Sequence, residues 1–218
     1  MLSKPKIMRR IMIVMALLVG QFSFAQNDEK ASSILDAMST KYKKMSAFKV
    51  AFTYTNEGQG AKESLKGDAT VKGTKFRLKM AGQEIFNDGK LITTYIKESN
   101  EATVNNYDPN EVGDIDPAKI YTIYKKGYKY MFIEEVTESG RVYEVVELSP
   151  EKKDSKVAKI QIKVDKNDKS VKSWKITQRG GQRLIFKVDK FMPNVKVSDS
   201  FFAFDATKYK GVEVIDLR

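Results

Sequence analysis

The sequence predicts a mainly β protein with few helices, in which short strands form an antiparallel sheet. Along most of the 218-residue chain, apolar residues alternate with polar ones, as they do in strands that bury one face. Turn-forming residues separate these stretches at intervals typical of hairpins. Apolar residues follow the three- and four-residue spacing of a helix in only two segments.

The first helical segment extends from about Asp28 to Met45. Its apolar residues recur every three or four positions, and the lysines of the segment, Lys30, Lys41, Lys43 and Lys44, lie mostly between them. The apolar set consists of Ile34, Leu35, Met38, Tyr42 and Met45. This spacing predicts one amphipathic helix that packs one face against the rest of the protein.

Strands with one apolar face account for most of the remaining sequence, for example within residues 48–55, 75–80 and 159–164. The turn signals between strands are Asn87-Asp88-Gly89-Lys90, Ser139-Gly140, Lys166-Asn167-Asp168-Lys169 and Gly180-Gly181. Across the last turn, apolar residues of two strands are expected to face one another: Trp174 and Ile176 on one, and Leu184, Phe186 and Val188 on the other. The pattern yields about eleven or twelve strands.

One region interrupts the strands. The chain from Asp108 to Pro117 is acidic and rich in turn residues, and Ile120, Ile123 and Tyr124 then follow helical spacing. We expect a short helix here, capped by Asp116 and with Pro117 at its first position.

The apolar face of such a sheet has to be covered by another layer or by the sheet itself. Strands with about three inward side chains each present on the order of thirty apolar groups, more than two short helical segments bury. Either the sheet closes into a tight barrel, or it curves around a space that holds something else. The alternation alone is compatible with both arrangements of the sheet.

The N-terminal residues have the order of a secretory signal peptide. Four basic residues precede an apolar run from Ile11 to Val19, and Ser23 and Ala25 stand where signal peptidase requires small side chains. We predict cleavage after Ala25, so that residues 1–25 are removed and residues 26–218 form a single domain. Because the chain has no cysteine, it carries no lipobox, and we expect it to be free in the periplasm.

Composition argues against most enzyme and nucleic-acid functions. The chain has neither histidine nor cysteine, the commonest general base and the thiol nucleophile, and we assign no catalytic residue, metal ligand or cofactor. The formal charge is +11. It is +7 for residues 26–218, since four of the 39 basic and none of the 28 acidic residues precede them. This charge favours anionic partners, while export argues against nucleic acid.

Short motifs follow one another along the chain: Ile34-Leu35-Asp36-Ala37-Met38, Met45-Ser46-Ala47-Phe48, Gly67-Asp68-Ala69, Val71-Lys72, Asn87-Asp88-Gly89-Lys90, Phe202-Ala203-Phe204 and Gly211-Val212-Glu213-Val214. In this order they resemble the outer-membrane lipoprotein carrier protein family, LolA. The strands within 157–164 and 171–188 also fall in the family's order. The resemblance therefore covers nearly all of residues 26–218, although no single motif is diagnostic.

The resemblance implies a curved antiparallel sheet that forms an incomplete (half) β-barrel of about eleven strands, covered by the N-terminal helix and a helical lid insert. It implies a periplasmic chaperone that binds lipoprotein acyl chains in a hydrophobic cavity and carries lipoproteins from the inner to the outer membrane. The implied partners are the lipoprotein cargo, an inner-membrane lipoprotein-releasing ABC transporter, and an outer-membrane acceptor or membrane surface. We expect a monomer that is not an enzyme.

Two other functions fit the same fold. One is a lipid-responsive sensor or regulatory module, and the other is a carrier of a different lipid, such as a glycolipid or pigment precursor. The family also commonly carries a basic residue just after Val-Lys that bonds to the lid. Gly73-Thr74 stand there in this chain, and the alternation places Arg77 on the polar face.

Inward-facing positions supply the candidate residues of a lipid-binding cavity: Phe48, Val50, Phe52, Val71, Phe76, Leu78, Met80, Ile92, Ile160, Ile162, Trp174, Ile176, Leu184 and Phe186. The candidate lid residues are Leu35, Met38, Ile120, Ile123 and Tyr124. Tyrosines and lysines are interleaved between Tyr121 and Tyr130, which suits a solvated face or a membrane or partner contact. The candidate docking residues for such a membrane or partner contact are Lys125, Lys126 and Lys129.

Overall fold

The computed structural model describes residues 28–58, 60–109 and 116–218, so the predicted signal peptide lies outside the described residues. One α-helix, α1 (residues 28–43), precedes twelve strands. The strands are β1 (Phe48–Gly58), β2 (Ala61–Lys72), β3 (Lys75–Met80), β4 (Gln83–Asn87), β5 (Leu91–Ile96), β6 (Glu101–Asn106), β7 (Tyr128–Glu138), β8 (Arg141–Pro150), β9 (Val157–Asp165), β10 (Val171–Gln178), β11 (Arg183–Pro193) and β12 (Glu213–Asp216). Short 3-10 turns occupy Ile123–Lys125, Asp199–Phe202 and Ala206–Lys208.

All twelve strands belong to one sheet of order β12-β6-β5-β4-β3-β2-β1-β11-β10-β9-β8-β7. Neighbouring strands are antiparallel except β12, which runs parallel to β6. The two edge strands, β12 and β7, do not pair with each other, so the described sheet is curved but unclosed. The mainly β fold predicted from the sequence and the incomplete barrel implied by the family resemblance are both confirmed.

The predicted turns set the register of the hairpins. Ser139 and Gly140 both have positive φ angles, 50° and 77°, which is the geometry of a two-residue hairpin turn. Beyond the Gly180-Gly181 turn, Trp174 pairs directly with Phe186 and Ile176 with Leu184, as the alternation predicted. This register places the apolar side chains of β10 and β11 on the concave face of the sheet.

Helix α1 covers one end of the concave face. Its predicted apolar face is buried, and Leu35 and Met38 are fully inaccessible to solvent. Polar contacts fix the helix to the strands beneath it. Lys41 Nζ donates to the Asp168 carbonyl oxygen at 2.6 Å, and the Val171 N–H donates to the Tyr42 hydroxyl at 3.0 Å. In the described part of the chain, no helix is long and apolar enough to cross a bilayer.

The opposite, convex face is covered near β4–β6 by the segment that follows β11. Phe86, Tyr95 and Ala102 form a second buried cluster, against which Phe204 and Tyr209 pack. The guanidinium of Arg77 lies 4.5 Å from the Phe86 ring and 4.9 Å from the Phe201 ring, and Arg77 is ion-paired with Glu84. Arg77 therefore stabilises the convex side and lies on the face away from α1, as the alternation predicted.

The segment between β6 and β7, residues 107–127, is called the insert below, and its residues 107–109 and 116–127 are described. Asp116 caps its ordered turns as predicted, because its Oδ1 accepts from the Ala118 N–H at 2.8 Å. The insert continues as hydrogen-bonded turns and one 3-10 turn, a shorter and tighter structure than the predicted helix. Gly127, with φ of 77°, then redirects the chain into β7.

Gly67 provides the first test of this packing, because it lies where β2 passes beneath the ring of Phe52. A Cβ at this position would lie 2.6 Å from Phe52 Cζ and 2.8 Å from the Lys79 carbonyl oxygen. We predict that Gly67→Ala lowers the free energy of unfolding by about 1–3 kcal/mol, measured by urea denaturation. Gly180→Ala is the matched control, since a Cβ there meets no atom within 4 Å. Equal stability of the two variants would contradict this account of Phe52.

Candidate functional site

A cavity of about 670 Å³ lies between the concave face of the sheet and the insert. Six strands supply its sheet side: β1, β2, β3, β9, β10 and β11. Their lining residues are Val50, Phe52, Ala69, Leu78, Val157, Ile160, Trp174, Ile176, Phe186 and Val188. The other side is formed by Pro109, Asp116, Pro117, Lys119, Ile120, Thr122, Ile123, Lys125 and Lys126 of the insert, together with Tyr128 at the start of β7.

The sheet side of the cavity is entirely apolar because each strand directs alternate side chains to the concave face. Ala69 lies between Val50 and Leu78 in the register, and its short side chain leaves space above β2. No residue of α1 lines the cavity, since the helix packs over another part of the same face. The cavity is thus the part of the concave face that α1 leaves uncovered.

Aromatic rings shape the cavity and its border. The rings of Phe52 and Phe186 are 5.9 Å apart, and Tyr54 packs against Phe186 at 5.0 Å. At the border with α1, Tyr121 of the insert stacks on Tyr42 with a centroid distance of 5.4 Å and an interplanar angle of 10°. This stack joins the insert to the helix through an apolar contact.

A hydrogen bond also joins the insert to α1. The Tyr124 hydroxyl donates to Asp36 Oδ1 at 2.5 Å, and Lys125 Nζ lies 4.0 Å from the same oxygen. Burial, and then the hydrogen bond to Asp36, raise the pKa of Tyr124 to about 12. Tyr124 is therefore a neutral donor at physiological pH, and its bond to the exposed carboxylate is charge-assisted.

A second phenol fastens the base of the insert. The Tyr107 hydroxyl donates to Asp116 Oδ2 at 3.2 Å, and burial together with the Asp116 charge raises the pKa of Tyr107 to about 12. The same carboxylate caps the turn at Ala118 through its other oxygen. Both oxygens of Asp116 are thus engaged within the insert.

The structure separates the predicted cavity residues into two groups. Those that line the cavity are Val50, Phe52, Leu78, Ile160, Trp174, Ile176 and Phe186. Those in the packed core beside it, or against that core, are Phe48, Val71, Phe76, Met80, Ile92, Ile162 and Leu184. The second group shares the concave face but lies beneath α1 or beyond the ends of the cavity.

The predicted lid residues divide in the same way. Ile120 and Ile123 line the cavity, whereas Leu35, Met38 and Tyr124 are buried in the core where α1 and the insert meet. Of the candidate docking lysines, Lys125 and Lys126 lie at the mouth of the cavity, and Lys129 is exposed on β7.

Some lining residues were not among those predicted. Ala69 and Val188 obey the same two-residue period as Val71 and Phe186, so the alternation was sufficient to find them. Val157 could not be found in this way. A register shift next to its partner Gln178 changes which side chains face inward at the start of β9.

The arrangement is suited to excluding water from apolar groups. Within the described ranges, no three His, Cys, Asp or Glu side chains are grouped so that they could hold a metal ion. What the cavity offers a ligand is apolar surface on one side and lysine ammonium groups at the rim of the other.

A one-sided curved sheet over an apolar cavity defines a class of binding proteins, and comparison with known proteins identifies the family. The family model described as outer membrane lipoprotein carrier protein LolA matches residues 43–205. The chain belongs to the LolA family, whose members are binding or carrier proteins. No curated protein matches the sequence of this chain.

Three solved structures are similar to this chain at low sequence identity. An uncharacterised conserved protein from Thermus thermophilus has a TM-score of 0.59 at 12% identity, over 86% of this chain and 99% of that one. A LolA-superfamily protein from Nitrosomonas europaea has a TM-score of 0.44 at 12% identity, over 80% and 98%. The Mycobacterium tuberculosis lipoprotein LppX has a TM-score of 0.47 at 12% identity, over 78% and 98%. At these identities, the first similarity shows the shared fold.

The hydrogen bond from Tyr124 to Asp36 leads to a prediction about access to the cavity. Tyr124→Phe keeps the ring but removes the donor, so the insert is held less tightly to α1. We expect unfolding free energy to fall by about 1–2 kcal/mol and a fluorescent acyl probe to enter the cavity faster in stopped-flow mixing. Tyr130→Phe, on the neighbouring ring, is the control, because its hydroxyl has no hydrogen bond to any described residue. Unchanged entry in Tyr124→Phe would show that this bond does not hold the insert.

Proposed function

We propose that this protein binds the acyl chains of lipoproteins in the cavity and carries lipoproteins between membranes. The observation that carries the proposal is the cavity itself: apolar concave surface that neither α1 nor the insert fills. Its volume falls in the range of ligand sites in proteins. If a methylene takes about the volume of a water molecule, roughly 30 Å³, the cavity has space for roughly 20 methylene groups.

The energetics of lipid transfer explain why such a protein needs a cavity. Each methylene group exposed to water costs about 0.8 kcal/mol, so a lipid anchor with some thirty methylenes would cost more than about 20 kcal/mol to release. Spontaneous release is too slow to be useful. A carrier replaces water with an apolar lining during the crossing, and it yields the chains where a membrane or another protein offers an equal environment.

The lining has features expected of a carrier. Its side chains differ in size and belong to six strands, so no rigid slot selects one chain length. The insert closes the cavity through a few contacts to α1, chiefly the Tyr124 hydrogen bond and the Tyr121–Tyr42 stack. A cover held by so few bonds can open without unfolding the sheet. Volume for roughly 20 methylenes is less than a full set of lipoprotein chains needs, so loading would also require the insert to move outward.

Location and partners follow from the same proposal. The N-terminal sequence would direct export and cleavage after Ala25, which places the carrier in the periplasm. There it would accept cargo from an inner-membrane lipoprotein-releasing ABC transporter and deliver it to an outer-membrane acceptor or to the membrane surface. The role is binding and transfer, with no chemical step.

The first prediction of the proposal concerns the cavity. Ala69→Leu would fill the space above β2 with about three additional carbon atoms and leave less space for a chain. We expect affinity for a neutral acyl probe to fall about tenfold, measured by displacement of a fluorescent fatty-acid analogue. Ala51→Leu is the matched control, because Ala51 lies on the adjacent strand β1 and faces the convex side. Equal affinities in the two variants would place the binding site elsewhere.

The second prediction concerns docking at the mouth. Lys129 is exposed on the edge strand β7, close to the mouth but outside the lining. A lysine near an anionic bilayer strengthens association about fivefold. Lys129→Glu should therefore weaken binding to vesicles that contain phosphatidylglycerol by at least that factor in a sedimentation assay, with cavity binding retained. Lys66→Glu, which changes an exposed lysine on the convex face, is the control. An identical loss in both variants would indicate a general charge effect and no docking site.

A further inference from the structure

The charges of the cavity are separated from its apolar surface. Every charged lining residue belongs to the insert: Lys119, Lys125, Lys126 and Asp116. The sheet side contributes apolar side chains alone. A bound molecule therefore meets an apolar floor at one end and a rim with three lysines and one aspartate at the other.

Asp116 and Lys119 largely satisfy each other and the insert. The Asp116 oxygens accept from the Ala118 N–H and the Tyr107 hydroxyl, and Lys119 Nζ lies 3.5 Å from Oδ2. Lys119 also donates to the Pro109 carbonyl oxygen. This pair holds the turns of the insert together and leaves little charge for a ligand.

Lys125 and Lys126 are in a different position. Lys125 Nζ is 4.0 Å from Asp36 Oδ1, at the limit of an ion pair, and the Asp36 carboxylate is shared with Tyr124. Lys126 is exposed, and no carboxylate of the described residues lies within ion-pair distance of its ammonium group. Among the described residues, the carboxylates near the rim therefore do not balance the positive charge of Lys126.

We propose, on the basis of the proposed function, that the cargo carries an anionic group next to its acyl chain and that Lys126, assisted by Lys125, binds this group. With the chain against Trp174 and Ile176, the polar end of an amphiphile reaches the insert side of the cavity. A phosphate or carboxylate at that end gains a charge-assisted contact with the lysines. A neutral group gains less, and a cationic group is repelled.

Two sources supply this chemistry: the phosphate of a phospholipid head group, and a carboxylate side chain beside the lipid anchor of a lipoprotein. Both place one negative charge near the polar end of an acyl chain. The inference therefore selects among cargoes by head-group charge, a property that the apolar lining cannot discriminate.

The test uses the intrinsic fluorescence of Trp174, the single tryptophan of the chain, which lines the cavity. The protein is titrated with monomeric amphiphiles that share one dodecyl chain and differ in head group: dodecyl methyl phosphate, tridecanoate, dodecyl maltoside and dodecyltrimethylammonium. We expect the two anionic ligands to bind about fivefold more tightly than the maltoside, and the cationic ligand to bind more weakly. The preference should shrink as salt is raised from about 0.1 to 1 M.

A matched pair of variants locates the preference. Lys126→Glu should abolish or reverse the preference for anionic ligands, scored as the ratio of anionic-ligand affinity to maltoside affinity within the same variant. Lys66→Glu makes the same charge change at an exposed lysine on the convex face, and this variant should retain the preference for anionic ligands. Every variant is also titrated with the maltoside, so a variant that fails to fold is recognised because it binds none of the ligands. If Lys126→Glu fails to fold, Lys126→Gln is tested in its place.

The outcomes separate the two proposals. If all four amphiphiles fail to bind, the proposed function falls. If they bind with equal affinity, or if the anionic preference survives Lys126→Glu, the carrier function stands and the inference is overturned. A preference for phosphate over carboxylate would point to a phospholipid head group, and the reverse preference to an acidic residue beside a lipid anchor.

Discussion

The structure depends on one constraint: the apolar concave face of the sheet has to be covered, and the described part of the chain has one α-helix to cover it. Helix α1 buries its own apolar stripe over one end of the face, where Leu35 and Met38 are fully enclosed. The insert spans the remaining part but supplies only turns, with Ile120 and Ile123 as its apolar contribution. Because the sheet does not close, the uncovered surface becomes a cavity.

The two covering elements are attached by different contacts. Helix α1 is anchored to the sheet by buried apolar contacts and by two hydrogen bonds. Lys41 donates to the Asp168 carbonyl oxygen, and the Tyr42 hydroxyl accepts from the Val171 N–H. The insert contacts both α1 and the sheet. Tyr121 stacks on Tyr42 and meets Phe48 of β1 edge-on, and Tyr124 donates to Asp36 and packs against Tyr130 of β7. The convex face is covered separately by the segment after β11, with Arg77 between Phe86 and Phe201, so opening the cavity leaves that cluster intact.

The sequence was sufficient to predict those parts of the fold that depend on local periodicity. The alternation located the strands and the correct face for residues as different as Trp174 and Arg77, because a two-residue period fixes orientation wherever the register is regular. It could not place Val157, since the register shift at Gln178 depends on the partner strand. Nor could it show that Ile160 borders the cavity, whereas Phe76 and Ile162 of the same buried core do not. That distinction depends on where α1 packs, a tertiary contact with no local signature.

The short structure of the insert was also beyond the reach of periodicity. Ile120, Ile123 and Tyr124 have helical spacing, yet the segment forms hydrogen-bonded turns and one 3-10 turn before Gly127 redirects the chain. Within the family, this chain also lacks a basic residue after Val71-Lys72, and Arg77 contacts the convex cluster instead. In this chain the Tyr124–Asp36 bond connects the cover to the helix, so the closing contact is phenolic and lies between the two covering elements.

The central claim is that the concave face has more apolar surface than the protein itself covers, and that lipid fills the difference. Native mass spectrometry of the protein purified without detergent from the cells that express it tests this most directly, combined with extraction of any bound lipid. The account predicts a species heavier than the polypeptide that loses acylated cargo on extraction. A single species at the mass of the mature chain, with no lipid in the extract and no uptake on incubation with acyl chains, would contradict it.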